Sequence, residues 1–180
     1  MINKIYEILL THNRPLTLRE LIFFITILSV ANLIFYILLK KNKIKKFQII
    51  IGELLLLSIF VVLSSTVLTR IPGEEKLYKL VLFWSWQEVI RGNMELLEEN
   101  LLNLILLFPF GFLLPFAFYR TISWNKALFA GVIFSFFIEI SQLILCRGLF
   151  ECDDIIHNSL GAMIGCILAN KIFERVKKSN

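Results

Sequence analysis

The sequence predicts an all-α fold, a polytopic helical membrane bundle of about five transmembrane helices with the N-terminus outside and the C-terminus inside. Of its 180 residues, 57% are hydrophobic and 18% are charged, whereas soluble domains average about 45–50% and about 25%. The mean hydropathy is +0.75, and the apolar residues form long runs rather than the alternation of an outer-membrane barrel. A soluble domain of this length could not bury so much apolar surface, and a disordered chain needs the opposite composition.

Five apolar runs are each long enough to cross a bilayer core, which takes roughly 20 residues per helix. They are residues 21–39, 47–67, 101–119, 127–146 and 155–173. The first run carries no charge, and the second and fourth carry one carboxylate each, Glu53 and Glu139. The third holds Pro109 and Pro115, which predict a kinked helix. No cleavable signal peptide is expected, because the first apolar run starts late and no Ala-x-Ala-like site follows it.

Lysine and arginine positions predict the orientation in the membrane. Five lysines lie within residues 40–46, and further cations lie in residues 120–126 and from residue 171 to the C-terminus. All three segments fall on one side of a five-span protein, and the cations of the other side are spread over longer segments. The positive-inside rule therefore places the N-terminus outside. Because the cations flank apolar runs, the net charge of +5 indicates contact with anionic membrane lipids and no nucleic acid partner.

The chain divides into three predicted segments. Residues 1–46 form an N-terminal amphipathic segment, an extra transmembrane helix and a basic cytoplasmic loop. Residues 47–175 form a four-helix membrane domain, and residues 176–180 a basic tail. The long outer segment, residues 70–100, reads as a loop with an amphipathic helical stretch, either an interfacial helix or a lid over an outward-facing site. Six of its residues follow helical spacing: Leu77, Leu80, Val81, Trp84, Glu88 and Arg91.

Polar residues inside the third and fourth spans are candidates for function. Ser135, Glu139 and Gln142 stand at i, i+4 and i+7 and share one helix face. The rest of that helix is apolar, so this stripe should face protein or trapped water. A charge in lipid is costly, which makes Glu139 a candidate functional residue. Asn103, near the outer end of the third span, either forms a hydrogen bond within the helix bundle or belongs to a functional site.

The acidic loop before the last span leads into another polar face. Asp153 or Asp154 can cap the last helix by accepting from its free N–H groups. Asp154, Asn158, Gly161 and Gly165 follow one continuous face of this helix. The two glycines form a small-xxx-small pair, which lets another helix approach closely.

Arg147 and the three cysteines leave alternatives open. Arg147 either forms an exposed ion pair with a nearby carboxylate, which contributes little, or receives a phosphate or carboxylate ligand. Cys146, Cys152 and Cys166 form no metal pattern. The first two could face one compartment, so a disulfide and two free thiols are both compatible with the sequence.

Three blocks of these residues resemble the VanZ-like family of bacterial integral membrane proteins. The first block holds Asn103, Pro109, Gly111 and Pro115, similar to a proline-kinked helix of the family. The second is the Ser-x-x-x-Glu-x-x-Gln pattern at residues 135–142. The third begins at Arg147 and continues through Asp154, Asn158, Gly161 and Gly165. It departs from the family at the first Asp, which falls near Phe150, so either Glu151 or Asp153 replaces it. The resemblance covers about residues 50–173.

The resemblance implies a multi-pass protein of the bacterial cell membrane. The namesake of the family is associated with low-level resistance to teicoplanin, a lipidated glycopeptide that acts at the outer face of the membrane. It does so without altering the terminal residues of the peptidoglycan precursor. The resemblance implies no established catalytic mechanism.

Two function classes follow. The preferred hypothesis is a cell-envelope protein that lowers susceptibility to teicoplanin-type antibiotics through an outward-facing polar pocket, which binds a lipid-linked cell-wall precursor or a lipoglycopeptide. The predicted pocket residues are Asn103, Glu139, Gln142, Arg147, Asp153, Asp154 and Asn158. The alternative is a membrane enzyme acting on a lipid-phosphate or cell-wall precursor, with Glu139 as general base and Asp153 or Asp154 as acid or metal ligand.

Glu139 and Asp154 are the catalytic candidates, and no other motif favours an enzyme. The sequence holds no Ser-His-Asp spacing, His-rich metal pattern or phosphate loop, so no metal site or cofactor is predicted. A transporter is disfavoured because the sequence shows no internal repeat.

Overall fold

The computed structural model describes residues 13–179, with side chains described up to residue 175. Its elements in chain order are α1 (Leu18–Lys40), α2 (Lys46–Leu63), a π-helical segment (Ser64–Leu68), β1 (Leu77–Lys79), α3 (Trp84–Ile90), α4 (Met94–Leu106), α5 (Phe108–Ala117), α6 (Trp124–Leu145), β2 (Leu149–Glu151) and α7 (Cys152–Ser179). Much of the predicted N-terminal amphipathic segment, residues 1–12, and the side chains of the basic tail lie outside the described residues.

Five helical stretches of the described chain are long and apolar enough to cross a membrane. They are Leu18–Lys40, Lys46–Leu68, Met94–Ala117, Trp124–Leu145 and Cys152–Arg175. The prediction of an all-α membrane bundle is confirmed, and each span agrees with an apolar run of the sequence. The assignment of the N-terminus to the outside stays a prediction.

The first span lies at the edge of the bundle. Thr17 and Glu20 form a capping box that begins α1, and Arg14 pairs with Glu20 at 2.5 Å. None of the α1 residues is buried. Contact with α2 includes the stacked rings of Phe24 and Phe60, whose centroids are 3.9 Å apart. The apolar surface of α1 is therefore suited to contact with lipid.

The third span is broken where the prolines predict a kink. The backbone leaves helical geometry at Leu107, and α5 begins at the next residue. Pro109 lies in the first turn of α5, where a missing N–H costs nothing, and Pro115 lies inside it.

Glycines allow this broken span to approach α7 closely. A Cβ atom added at Gly111 would overlap the Ala162 backbone, and one added at Gly161 would overlap the carbonyl of Leu104. At Gly165 it would overlap the carbonyl of Phe108. The predicted small-residue face is confirmed. It makes α7 the central helix, in contact with α4, α5 and α6.

The segment that follows the second span is only partly helical. Instead of one helix from Leu77 to Arg91, the chain forms β1, which pairs in parallel with β2, and then the short helix α3. Phe83 has a left-handed φ of 58°, which separates the two elements. The predicted loop also ends early, because Asn93 caps α4 and helix begins at Met94.

The two ends of the bundle differ in character. We call the end that carries β1 and β2 the strand end. The opposite end, which carries residues 40–46, is the lysine end. At the strand end, the Gly73 N–H donates to the Cys146 carbonyl at 2.6 Å. At the lysine end, Gln48 donates to the Ala117 carbonyl at 2.8 Å, and the Lys45 ammonium lies 3.9 Å from the centre of the Tyr119 ring.

Candidate functional site

Four polar side chains meet between α4, α6 and α7 near the strand end. Asn103 Nδ2 donates to Asp154 Oδ1 at 2.6 Å. One turn further along α7, Asn158 Nδ2 donates to Ser135 Oγ at 2.8 Å. The Ser135 hydroxyl also reaches the backbone carbonyl of Asp154 at 3.5 Å. We call these four residues the amide–carboxylate cluster. It links the three helices on which the sequence placed polar faces.

Glu139 lies next to this cluster on the same face of α6. Its side chain is 1% exposed, and its Oε2 accepts from the Glu151 N–H at 2.9 Å. This bond ties the helix to β2. Glu139 and Asp154 also repel each other electrostatically, as two carboxylates near one another in a region of low dielectric constant must.

Arg70 is the cation that interacts with both carboxylates, and the sequence reading did not single it out. Its guanidinium attracts the Glu139 and Asp154 carboxylates across the strand end. Gly148 makes room for it, since a Cβ at this position would lie 2.5 Å from Arg70 Nη1. The φ of Gly148 is also +154°, which a residue with a side chain rarely adopts. No local pattern in the sequence marks Arg70, because its partners are about 70 and 80 residues away.

Asp153 faces away from the cluster and fastens α3. Its Oδ1 accepts from the Phe83 N–H at 2.5 Å, and its Oδ2 accepts from the N–H and hydroxyl of Ser85 at 3.1 and 2.6 Å. Asn100 donates to the same hydroxyl at 3.2 Å. Asp153 and Asp154 both lie in the first turn of the last helix, as expected of carboxylates at the positive end of a helix, but their side chains bind other elements. That helix begins at Cys152, Asp153 caps α3 instead, and Asp154 binds Asn103.

A second contact holds α3 against α7. The indole N–H of Trp86 donates to His157 Nε2 at 2.8 Å. His157 is buried. Together with Asp153, this bond fixes α3 across the strand end of the bundle.

Two buried polar atoms of α7 lack a hydrogen-bond partner among the described residues. They are Asn158 Oδ1 and His157 Nδ1. Asn158 is only 2% exposed, and its Nδ2 is used by Ser135. A buried acceptor left without a donor costs free energy, so the Asn158 oxygen is a place where a donor from water or a ligand would bind.

Gln142 and Arg147 contact the π-helical segment instead of the cluster. Gln142 Nε2 donates to the Thr66 carbonyl at 2.9 Å. Arg147 Nη1 donates to the carbonyls of Val67 and Leu68 at 2.8 and 2.9 Å. A helix end leaves such carbonyls without helical partners, and the two side chains supply donors. Of the two alternatives for Arg147, the ion pair with a neighbouring carboxylate does not form among the described residues.

Acidic character extends into β2 through Glu151. Burial raises the pKa of Glu151 to about 6, and the negative charges of Glu99 and Asp153 add to this rise, while the Lys79 ammonium opposes it. In the described part of the chain, no three His, Cys, Asp or Glu side chains are arranged to hold a metal ion. Cys146, Cys152 and Cys166 are free thiols.

These features define a multi-pass helical membrane protein with a partly buried amide and carboxylate cluster at one end of its bundle. The chain belongs to the VanZ/LLP1 family, whose sequence model matches residues 49–174. The matched region starts in the second span and contains every residue of the cluster. Comparison with curated proteins finds no match, and comparison with solved structures finds none either.

Proposed function

We propose that this VanZ/LLP1 family member lowers the susceptibility of the bacterial cell to teicoplanin-type lipoglycopeptide antibiotics. In this proposal the protein sits in the cell membrane with its strand end outside. The polar part of the lipoglycopeptide, or of a lipid-linked cell-wall precursor, binds at this end. The acyl part lies against the apolar faces of neighbouring helices.

The observation that carries the proposal is the concentration of hydrogen-bond acceptors at the strand end. Asp154 accepts from Asn103 and Glu139 accepts from the Glu151 N–H, and the Asn158 oxygen, one turn from Asp154 on α7, has no donor among the described residues. Peptide N–H groups and sugar hydroxyls are donors, and a lipoglycopeptide carries many of both. Carboxyl and amide oxygens accept hydrogen bonds from such groups, so this site is suited to such a ligand.

An apolar groove provides a place for the acyl part. It has a volume of about 500 Å³ and lies between α2 and the break in the third span, with walls that include Leu57, Val61, Leu106, Pro109 and Leu113. The broken third span links the two features, because Asn103 lies one turn before Leu107 on α4. A ligand with a polar head and an apolar chain could use both.

Susceptibility testing in isogenic strains tests this proposal. We expect the gene to raise the inhibitory concentration of teicoplanin and to change the binding of labelled teicoplanin to the cell surface. Both effects should be larger than for a glycopeptide without an acyl chain. Asp154→Asn and Glu139→Gln should each weaken ligand binding by roughly 2- to 10-fold, since a hydrogen bond contributes about 0.5–1.5 kcal/mol. Glu53→Gln is the matched control, a carboxylate in α2 outside the cluster. Unchanged susceptibility and drug binding with and without the gene would remove the proposed role.

The alternative function is a membrane enzyme that acts on a lipid-phosphate or cell-wall precursor. The position of Arg70 near the Glu139 and Asp154 carboxyl groups favours it, because such a set can move a proton and hold an anionic group. Here Asp153 is a poor candidate ligand, since its oxygens are used by α3. Proteoliposomes containing the purified protein and a labelled precursor separate the two functions. Turnover that is lost in Glu139→Gln, in protein that remains folded, would favour the enzyme.

A further inference from the structure

The lysine end of the bundle contains a large cavity that is separate from the cluster. Its volume is about 890 Å³, and it lies between the loop that joins α5 to α6 and the last turns of α7. Three cations line it, Arg120, Lys126 and Lys171, together with one carboxylate, Glu174. None of the three cations forms an ion pair with a carboxylate in the described part of the chain. The cavity therefore carries unbalanced positive charge.

The cavity changes from basic to apolar with depth. Ala130 lies one helical turn after Lys126 on α6, and Ile167 lies one turn before Lys171 on α7, both toward the middle of the membrane. Leu114 of α5 completes this apolar wall. The cations thus occupy the end near the membrane surface, and the apolar wall faces the hydrocarbon region. A small soluble anion has no apolar part that could pack against this wall.

Asn170 fixes the shape of this cavity. Its Oδ1 accepts from the Ile122 N–H at 3.1 Å, and its Nδ2 donates to the Ile122 carbonyl at 2.7 Å. The two bonds hold the loop between α5 and α6 against α7. Since Arg120 and Lys126 lie on either side of Ile122, their backbone positions relative to Lys171 follow from these bonds. The fold therefore fixes where these positive charges lie relative to one another.

We propose that this cavity binds the headgroup of an anionic phospholipid. The phosphate is held by Arg120, Lys126 and Lys171, and the glycerol and first acyl carbons pack on Ala130 and Ile167. Basic pockets between helices at the cytoplasmic membrane surface are suited to anionic headgroups. Trp124, exposed at the cavity and first in α6, has the ring type that favours this interface. The site does not depend on the ligand proposed for the strand end.

Lipid retention by the purified full-length protein tests the site. Native mass spectrometry would compare phosphatidylglycerol with phosphatidylcholine, which has no net charge. We expect preferential retention of phosphatidylglycerol. Each cation near the surface contributes about fivefold in affinity, so the triple variant R120Q/K126Q/K171Q should lose the preference. The triple variant R120K/K126R/K171R keeps the charge and should retain it.

A control variant separates a built site from general attraction to the lysine end. K41Q/K43Q/K46Q removes the same charge at exposed positions of that end, away from the cavity. We expect it to retain the preference. Equal loss in this control, or no preference in the wild-type protein, would overturn the proposal. Displacement of the lipid by inorganic phosphate alone would overturn it too, because the ligand would then be a soluble anion.

Discussion

Replacing Asp153 by alanine tests whether this carboxylate holds α3 at the strand end. The substitution removes the acceptor for three donors, the Phe83 N–H and the N–H and hydroxyl of Ser85. Asp153 is 1% exposed and Ser85 is 3% exposed, so water cannot easily replace the carboxylate. Hydrogen bonds to a charged group contribute about 1.5–3 kcal/mol each, and bonds that share one acceptor group do not add fully. We expect the docking of α3 to weaken by about 3–5 kcal/mol in total.

Hydrogen exchange of the protein in detergent or nanodiscs measures this local change. A loss of about 4 kcal/mol corresponds to roughly a 10³-fold increase in the open population of Trp84–Ile90. The amides in the middle of α7 should change little, because that helix is held by its packing. Glu88→Gln is the control, since its exposed ion pair with Arg91 contributes only about 0–1 kcal/mol. Unchanged exchange in α3 of a folded Asp153→Ala variant would refute the role assigned to this carboxylate.

Three further predictions concern stability. Gly161→Ala should destabilise the protein by about 1–3 kcal/mol, because its Cβ would overlap the rigid Leu104 carbonyl. In Gly52→Ala the added Cβ atom meets a movable phenylalanine ring instead, so this variant should be destabilised less. Thermal unfolding in detergent compares the stability of the two variants. Arg147→Met should cost about 1–3 kcal/mol, since two carbonyls of the π-helical segment lose their donor. The pKa of Glu151 is raised to about 6 from the ordinary 4.5. The contribution of this carboxyl to the free energy of unfolding is therefore fully present below pH 4.5. That contribution is lost as the pH rises through 6.

The controls for these predictions are direct. Glu151→Gln should remove the part of the pH dependence between about pH 4.5 and 6, and an unchanged profile would contradict the assignment to this residue. An Arg147→Lys variant keeps a donor and should be less destabilised than the methionine variant. If alanine at Gly161 is tolerated as well as alanine at Gly52, the close approach of α4 and α7 is wrong.

The spans and their shared polar faces could be predicted because they depend on local sequence. An apolar run of about 20 residues identifies a membrane helix without knowledge of its neighbours. Helical periodicity likewise placed Ser135 with Glu139, and Asp154 with Asn158, on common faces. The contact between Asn158 and Ser135 then required only that two consecutive helices pack as an antiparallel pair.

The partners of individual polar groups could not be predicted in this way. Asp153 and Asp154 are adjacent in sequence, but successive helical residues point in directions about 100° apart. One therefore binds α3 and the other binds Asn103. For Arg147 the sequence left an ion pair and an anionic ligand as alternatives, and the side chain binds the carbonyls that end the second span. The pairing of β1 with β2 joins segments about 70 residues apart, and neither has a pattern long enough to predict a strand.

The sequence by itself determined that this chain is a helical membrane protein, where its helices lie and which faces of the last three are polar, because composition and period are local properties. Only the tertiary structure decided which acceptor each donor uses, why Gly161 and Gly165 face the broken third span, and that Arg70 attracts the Glu139 and Asp154 carboxylates. Those outcomes depend on distances between residues far apart in the chain, and in a low-dielectric interior each unpaired polar group takes the partner that packing brings within reach.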